Sequence, residues 1–336
     1  MSDSVILLSH GSGSRRSSDL IKHLFLRYFG NPILNILGDS AILQGCPSTL
    51  AFTTDSFVVT PPFFPGGDIG KLAVCGTIND LAAAGAKPIA LSAAFILEEG
   101  LEISMLERVV ASMAEAAENA GVYVVAGDTK VVPRSKADGL FITTSGVGLV
   151  DTLPQPSPER ARPGDAIIIN GTIADHGMAV MMARESIQLS SKITSDCAPL
   201  NRLVTSVLEV SPNVHCLRDP TRGGLATALH EIAVQSGVCI EIEEGEIPVR
   251  DDVRVACELL GIDPLHVANE GKMIFIIPSE ECEPVLRAMR GCQYGKDAVV
   301  IGRVLEQPAG LVCLRTSMGT RRVMDVPAGE LLPRIC

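Results

Sequence analysis

A run of prolines in mid-chain, Pro154, Pro156, Pro158 and Pro163, constrains the fold of this sequence most. Each fixes its own φ and withholds a backbone donor, so no helix interior or central strand passes through them. The run reads as a linker dividing the 336 residues into two halves of similar size and plan. In both halves, short apolar, β-branched runs alternate with helix-period stretches, the pattern of a mixed α/β (α+β type) protein. The expected units are a flexible segment and helix over residues 1–35, a domain over 36–153, a second domain over 154–315 and a mobile tail over 316–336.

In the first half, a strand over Leu50–Val59 carries Asp55 within it, and a helix over Asp68–Ala86 carries the Asn79-Asp80 pair. Buried strands are expected at Pro88–Leu97 and Val122–Lys130, the second passing through Gly127-Asp128. An amphipathic helix over Ser104–Gly121 closes on its glycine, and Leu140–Val150 forms a further strand. In the second half, strands are expected near 165–170, 238–242 and 272–277, and helices near 176–184, 200–208, 225–236 and 280–289. The stretch His10-Gly11-Ser12-Gly13-Ser14-Arg15-Arg16 reads as a flexible loop before a helix over 19–29; a lid over an anionic ligand is the functional alternative.

A net charge of −11 argues against a nucleic-acid surface. The longest apolar candidate, Leu72–Leu97, is broken by Asn79, Asp80, Lys87 and Pro88, so no membrane span is expected. Val5–Leu8 is too short for a signal-peptide core. The ten cysteines show no C-x-x-C spacing, and Cys75, Cys239 and Cys257 fall in apolar patterns as core residues. A reduced, cytoplasmic setting follows.

Asp39, Asp55, Asp80 and Asp128 each lie in or beside strongly apolar sequence. Isolated buried carboxylates are costly, so such acids are normally paired with cations or metal. Convergence of all four on Mg²⁺, with nucleotide phosphates completing the shell, accounts for the set. Known phosphate loops do not fit. Gly66-Gly67-Asp68-Ile69-Gly70-Lys71-Leu72 lacks the first glycine at the required spacing and has Leu72 where a hydroxyl belongs. A nucleotide is then held by acids and metal, with Lys71 and glycine amides assisting. Asp219-Pro220-Thr221-Arg222-Gly223-Gly224 sets an acid, a guanidinium and two glycines before a helix, an oxyanion or phosphate environment if it is more than a turn. Asn269-Glu270-Gly271-Lys272 reads as a turn before a buried strand.

The chain closes on Pro333-Arg334-Ile335-Cys336 after a stretch rich in proline and glycine. It reads as an extended, mobile arm ending in a thiol, with Arg334 placed to raise the thiolate fraction. About twenty residues at ~3.3 Å each reach roughly 65 Å, so the sequence leaves open whether the thiol enters its own site or that of another copy.

Taken together, Thr54-Asp55, Gly76-Thr77-Ile78-Asn79-Asp80-Leu81, Ala126-Gly127-Asp128-Thr129-Lys130, Asp219–Gly224 and Asn269–Lys272 resemble the ATP-binding superfamily of aminoimidazole ribonucleotide synthetase. The similarity covers essentially the whole chain. With the terminal cysteine, it narrows to the branch that matures [NiFe]-hydrogenases. The resemblance implies two α/β domains, the first forming a β-barrel with its copy in a homodimer and ATP binding near that interface. It implies that Asn79, Thr129 and Asp219 join the acids and Lys71 at the nucleotide. It further implies a partner carbamoyltransferase that loads Cys336, ATP-dependent dehydration of the carbamoyl group to a thiocyanate, and transfer of the cyano group to iron on an acceptor complex. In that chemistry Glu270 is the expected base, with Lys130 or Arg222 stabilising the phosphorylated oxygen. A non-catalytic scaffold whose tail docks assembly partners is the alternative.

Overall fold

The computed structural model describes residues 15–20, 22, 34–37, 41–43, 49–151, 154–185, 193–326, 329, 332 and 334–336. The loop 10–14, most of the helix expected over 19–29, and Asp39 lie outside these residues. Helix α1 (Arg15–Leu20) precedes a first sheet built from β1 (Ala41–Leu43), β2 (Thr49–Phe57), β5 (Ala86–Glu98), β6 (Tyr123–Val132) and β7 (Leu140–Val150). A small hairpin, β3 (Phe63–Phe64) and β4 (Gly67–Asp68), leads into α2 (Ile69–Ala83), and α3 (Ile103–Ala120) crosses from β5 to β6. The strand order is β1-β2-β7-β5-β6, antiparallel except for the β5–β6 pair.

Strict alternation in β7 puts every second residue against the helices. In β2 the same alternation turns Ala51, Thr53 and Phe57 inward. Asp55 shares their parity and therefore faces α2. Most of α2 is buried, sandwiched between the sheet and α3. Asp68 caps it by accepting from Gly70 N at 2.7 Å and Lys71 N at 3.2 Å.

The second sheet has the order β14-β13-β10-β12-β8-β11-β9. Its strands are β8 (Asp165–Ile169), β9 (Cys216–Arg218), β10 (Cys239–Glu243), β11 (Ile274–Pro278), β12 (Val299–Leu305), β13 (Leu311–Arg315) and β14 (Arg321–Val323). Its helices are α4 (Asp175–Arg184), α5 (Asn201–Val210), α6 (Gly224–Ser236), α7 (Asp251–Leu260) and α8 (Cys282–Arg290). The central strands are apolar on both faces. Ile167, Ile169, Ile274 and Ile276 pack with α6, while Ile168, Phe275 and Ile277 pack with α5 and α8. That two-sided burial explains why β8 and β11 read as continuous apolar runs.

Two expectations need correction. The strand at 122–130 is exposed, with Tyr123 at 80% and Val125 and Val131 at 66%. It is the edge of its sheet and pairs only with β5 among the described strands, so its apolar run is not covered by the described residues of its own chain. Nor does the chain become an arm at residue 316: Arg321–Val323 pair antiparallel with Cys313–Arg315. Among the described residues, no helix is long and apolar enough to cross a membrane.

Candidate active site

A pocket of ≈ 270 Å³ opens between the two sheets. Asp55 from β2 and Asp80 from α2 form one wall; Asp219 and Arg222 follow β9, and Glu270 precedes β11. Asn79 joins the halves behind this wall. Its amide donates to Ala198 O at 3.1 Å and Glu270 O at 3.2 Å, and its Oδ1 accepts from Leu200 N at 2.8 Å. The segment it grips passes so close to the Glu270 turn that a Cβ on Gly271 would overlap the Asp196 carbonyl. Glycine is required there by space.

The electrostatics are those of crowded acids. The Asp55 carboxyl hydrogen-bonds Asp80, which also accepts from Thr53 Oγ1 at 2.7 Å. Burial pushes the Asp55 pKa up to about 6; Arg222 opposes the shift and Asp219 adds to it. Asp219 is raised by burial against the pull of Arg218 and Arg222. Glu270 is raised well above the usual carboxylate range, by burial first and then by Asp219, Asp196 and Asp55. Its Oε1 is buried without a hydrogen-bond partner. Such an orphaned acceptor, aimed into a pocket, marks a place for a ligand.

Cys336 completes the lining. In this chain the tail folds back so that Cys336 lines the chain's own pocket. Leu332 and Ile335 are buried in the core cluster that holds Phe57 and Met178, and these apolar anchors hold the terminus inward. Arg334 pairs with Asp138 rather than with the thiol. The thiol is pushed up to about 12, by burial first; Arg222 opposes, and Glu270, Asp55 and Asp219 add to the rise. The expected activation by Arg334 is therefore reversed in this seat, because the thiol is desolvated among acids.

The acids expected to bind metal do not all meet. Asp55 and Asp80 do. Asp128 pairs through the register with Ala94, Thr143 and then Ser56, three strands away and roughly 14 Å at ~4.8 Å per strand. It lies in the row of Ser56, one residue off Asp55, and so belongs to the opposite face of the sheet. There it is exposed, bonded to Lys130 Nζ at 3.0 Å and to Thr129 N at 2.8 Å, with its pKa lowered chiefly by Lys130. Lys71 donates to Gly66 O at 2.9 Å beside the cap of α2, away from the pocket lining. Among the described residues, no three His, Cys, Asp or Glu side chains are grouped to hold a metal ion on their own.

Arg218 lines the pocket, and sequence reasoning missed it; its Nη2 binds Glu231 Oε2 at 2.6 Å. Its position next to Asp219 was the available signal. Thr53 was missed as well, and nothing in an isolated threonine announces a pocket; Thr221 lies within the Asp219–Gly224 motif and also lines it.

Comparison with known proteins identifies the family of the chain. Residues 38–150 match the N-terminal domain, and residues 162–312 the C-terminal domain, of AIR synthase related proteins. A relative from Rhodobacter capsulatus, carbamoyl dehydratase HypE, is 49% identical over 99% of both chains. A crystal structure of hydrogenase maturation protein HypE in complex with ATP superposes with a TM-score of 0.84 at 50% identity, covering 99% of this chain and 100% of that one. A HypE–HypF complex gives 0.88 at 49% identity, covering 92% and 99%. The chain belongs to the HypE family of AIR synthase related proteins.

Proposed function

We propose that this protein is an ATP-dependent S-carbamoyl dehydratase of [NiFe]-hydrogenase maturation, converting a carbamoyl group on Cys336 to a thiocyanate. The observation that carries this reading is the seat of the terminal thiol beside Glu270, Arg222 and the Asp55–Asp80 pair. A substrate carried on the enzyme's own chain needs no second encounter, so its reaction is effectively unimolecular.

ATP supplies the phosphoryl group that turns the carbamoyl oxygen into a leaving group. That oxygen departs as part of phosphate while two N–H protons are lost and the C≡N bond forms. Glu270 takes them one at a time, passing the first to solvent before it accepts the second. Burial and the neighbouring acids raise its pKa, and positive charge brought to Asp55 and Asp80 acts in the opposite direction, favouring the carboxylate that serves as base. Arg222 stands over Cys336 and stabilises negative charge on the departing oxygen.

Mg²⁺ fits two residues rather than four. Magnesium is commonly held by one or two carboxylates with substrate phosphates. The Asp55 and Asp80 carboxyls lie within hydrogen-bonding distance of each other, and a cation held between them would favour the ionised form of Asp55. Asp219 borders the nucleotide space. Asp39 belongs with the metal set by sequence alone. Asn79 shapes the site by joining the halves. Asp128, Thr129, Lys130 and Lys71 retain a role at the nucleotide only if a second copy brings them to a pocket, and the exposed apolar face of β6 supports such a homodimer. The two domains are taken as 36–153 and 154–315.

Loading of the thiol needs the thiolate, which the inward seat suppresses. An outward tail therefore accepts the carbamoyl group from HypF and delivers the cyano group to a HypC–HypD complex, in the cytoplasm, where free cysteines persist. ATP turnover by the carbamoyl-loaded protein tests the reading. It should stop in Cys336→Ala, and turnover that continues without the cysteine sinks the proposal.

A further inference from the structure

The end of the chain is held through its main chain. Thr60 N donates to Arg334 O and Val58 N to Cys336 O, both at 3.2 Å, so the end of the tail lies beside the continuation of β2. Two side chains of α4 supply further donors. Arg184 Nη2 donates to Arg334 O at 2.6 Å while its Nε donates to Thr60 O at 2.8 Å, bracing both sides of the same rung. His176 is fully buried, with Nε2 2.6 Å from Ile335 O. A carbonyl only accepts, so Nε2 carries the hydrogen. Nδ1 then accepts from Ser195 Oγ at 2.8 Å, and Ser195 Oγ in turn accepts from Cys197 N at 3.1 Å. The edge-on ring of Phe64 at 5.3 Å fixes the imidazole plane.

Arg334 has φ +52°, a conformation that a residue with a side chain keeps only when its surroundings hold it. Here the holders are Thr60, Arg184 and Asp138. Released from them, the tail relaxes.

We propose that His176 and Arg184 are positioning residues that form a main-chain latch, setting the balance between Cys336 seated in the acid pocket and Cys336 exposed to solvent. The donors named above end on backbone oxygens of residues 334–336, and the apolar anchors are Leu332 and Ile335. The latch is therefore indifferent to what the sulfur carries, and thiol, carbamoyl and cyano forms dock alike. Selection among them falls to Arg222, Glu270 and Asp55 in the pocket. The consequence for turnover rests on the dehydratase reading; the latch itself does not.

The test is maleimide labelling of the full-length protein without nucleotide, followed by Asp-N digestion and mass spectrometry of the peptide 325–336. Labelling needs the outward tail, so its rate rises in proportion as docking weakens. Arg184→Ala and His176→Phe should each speed labelling of Cys336 by roughly tenfold, the scale for losing a hydrogen bond to a charged or buried group. Buried Cys197 should stay unlabelled, reporting an intact fold. His176→Gln, which keeps an N–H donor, should restore much of the protection. If His176→Phe also exposes Cys197, the half-buried Arg184 decides through Arg184→Ala. Labelling of Cys336 at the wild-type rate in Arg184→Ala, with Cys197 protected, overturns the latch. A wild-type tail that is protected yet never loses water from its carbamoyl group with MgATP overturns the dehydratase reading and leaves the latch standing.

Discussion

Glu270 is the residue on which the chemistry turns, and its isolation is what equips it. With one buried, unpartnered oxygen among other acids, its carboxyl is shifted well above the usual carboxylate range, and nearby positive charge opposes that shift. Glu270→Gln keeps the shape and removes the base, so single-turnover dehydration should fall by roughly 10²–10⁴ while ATP binding persists. Full activity in that variant rules Glu270 out as the base. Asp55 gives a second signature. Its folded pKa of about 6 lies above its unfolded value of 3.8, so the folded state binds the extra proton. Its contribution to stability is present below about pH 4 and lost as pH rises through about 6. Urea titrations should show this fall, and Asp55→Asn should flatten it in part; Asp175, also raised to about 6 by burial, and the raised Asp219 and Glu270 act in the same direction. MgATP binding near pH 6 should release protons in calorimetry. Asp55 and Asp80 were legible because acids in apolar sequence demand a reason; Asp219 and Glu270 were legible from the Asp219–Gly224 and Asn269–Lys272 motifs. Asn79 was expected at the nucleotide, and in this chain its amide pins two backbone segments. Asp128 carried its own answer in Lys130, two residues along the same strand face.

At the scale of elements, α2 and β6 carry the largest consequences. Asn79 fastens α2 to the second domain through three buried hydrogen bonds. Asn79→Ala should lower unfolding stability by on the order of 2–4 kcal/mol, because it strands buried backbone groups. A loss within ±0.5 kcal/mol in a denaturant melt contradicts the pinning role. Edge strand β6 exposes Tyr123, Val125 and Val131, and a lysine on such an edge blocks pairing. Val125→Lys with Val131→Lys should shift sedimentation from dimer to monomer; a dimer that survives places the interface elsewhere. The bounds expected for β7 match the strand to the residue, and two-sided apolarity placed β8 and β11 to within two residues. The exposure of β6 was illegible because an apolar run signals burial without saying which chain provides it.

Across the whole molecule, two sheets and a pinned helix build a pocket, and the chain's own end closes it. The two-domain plan followed from the prolines and the repeated alternation of elements. The docking of the tail did not, since Pro327, Gly329 and Pro333 suggest looseness while only Leu332 and Ile335 supply anchors. The central claim is that this seated cysteine is where a carbamoyl group loses water. Its most direct test is the mass of the peptide 325–336 after carbamoyl loading, with and without MgATP. Loss of one water on Cys336 only with MgATP, abolished by Asp80→Asn, is the expected result. A carbamoyl adduct that survives MgATP unchanged contradicts the account and leaves the tail a carrier or a docking arm.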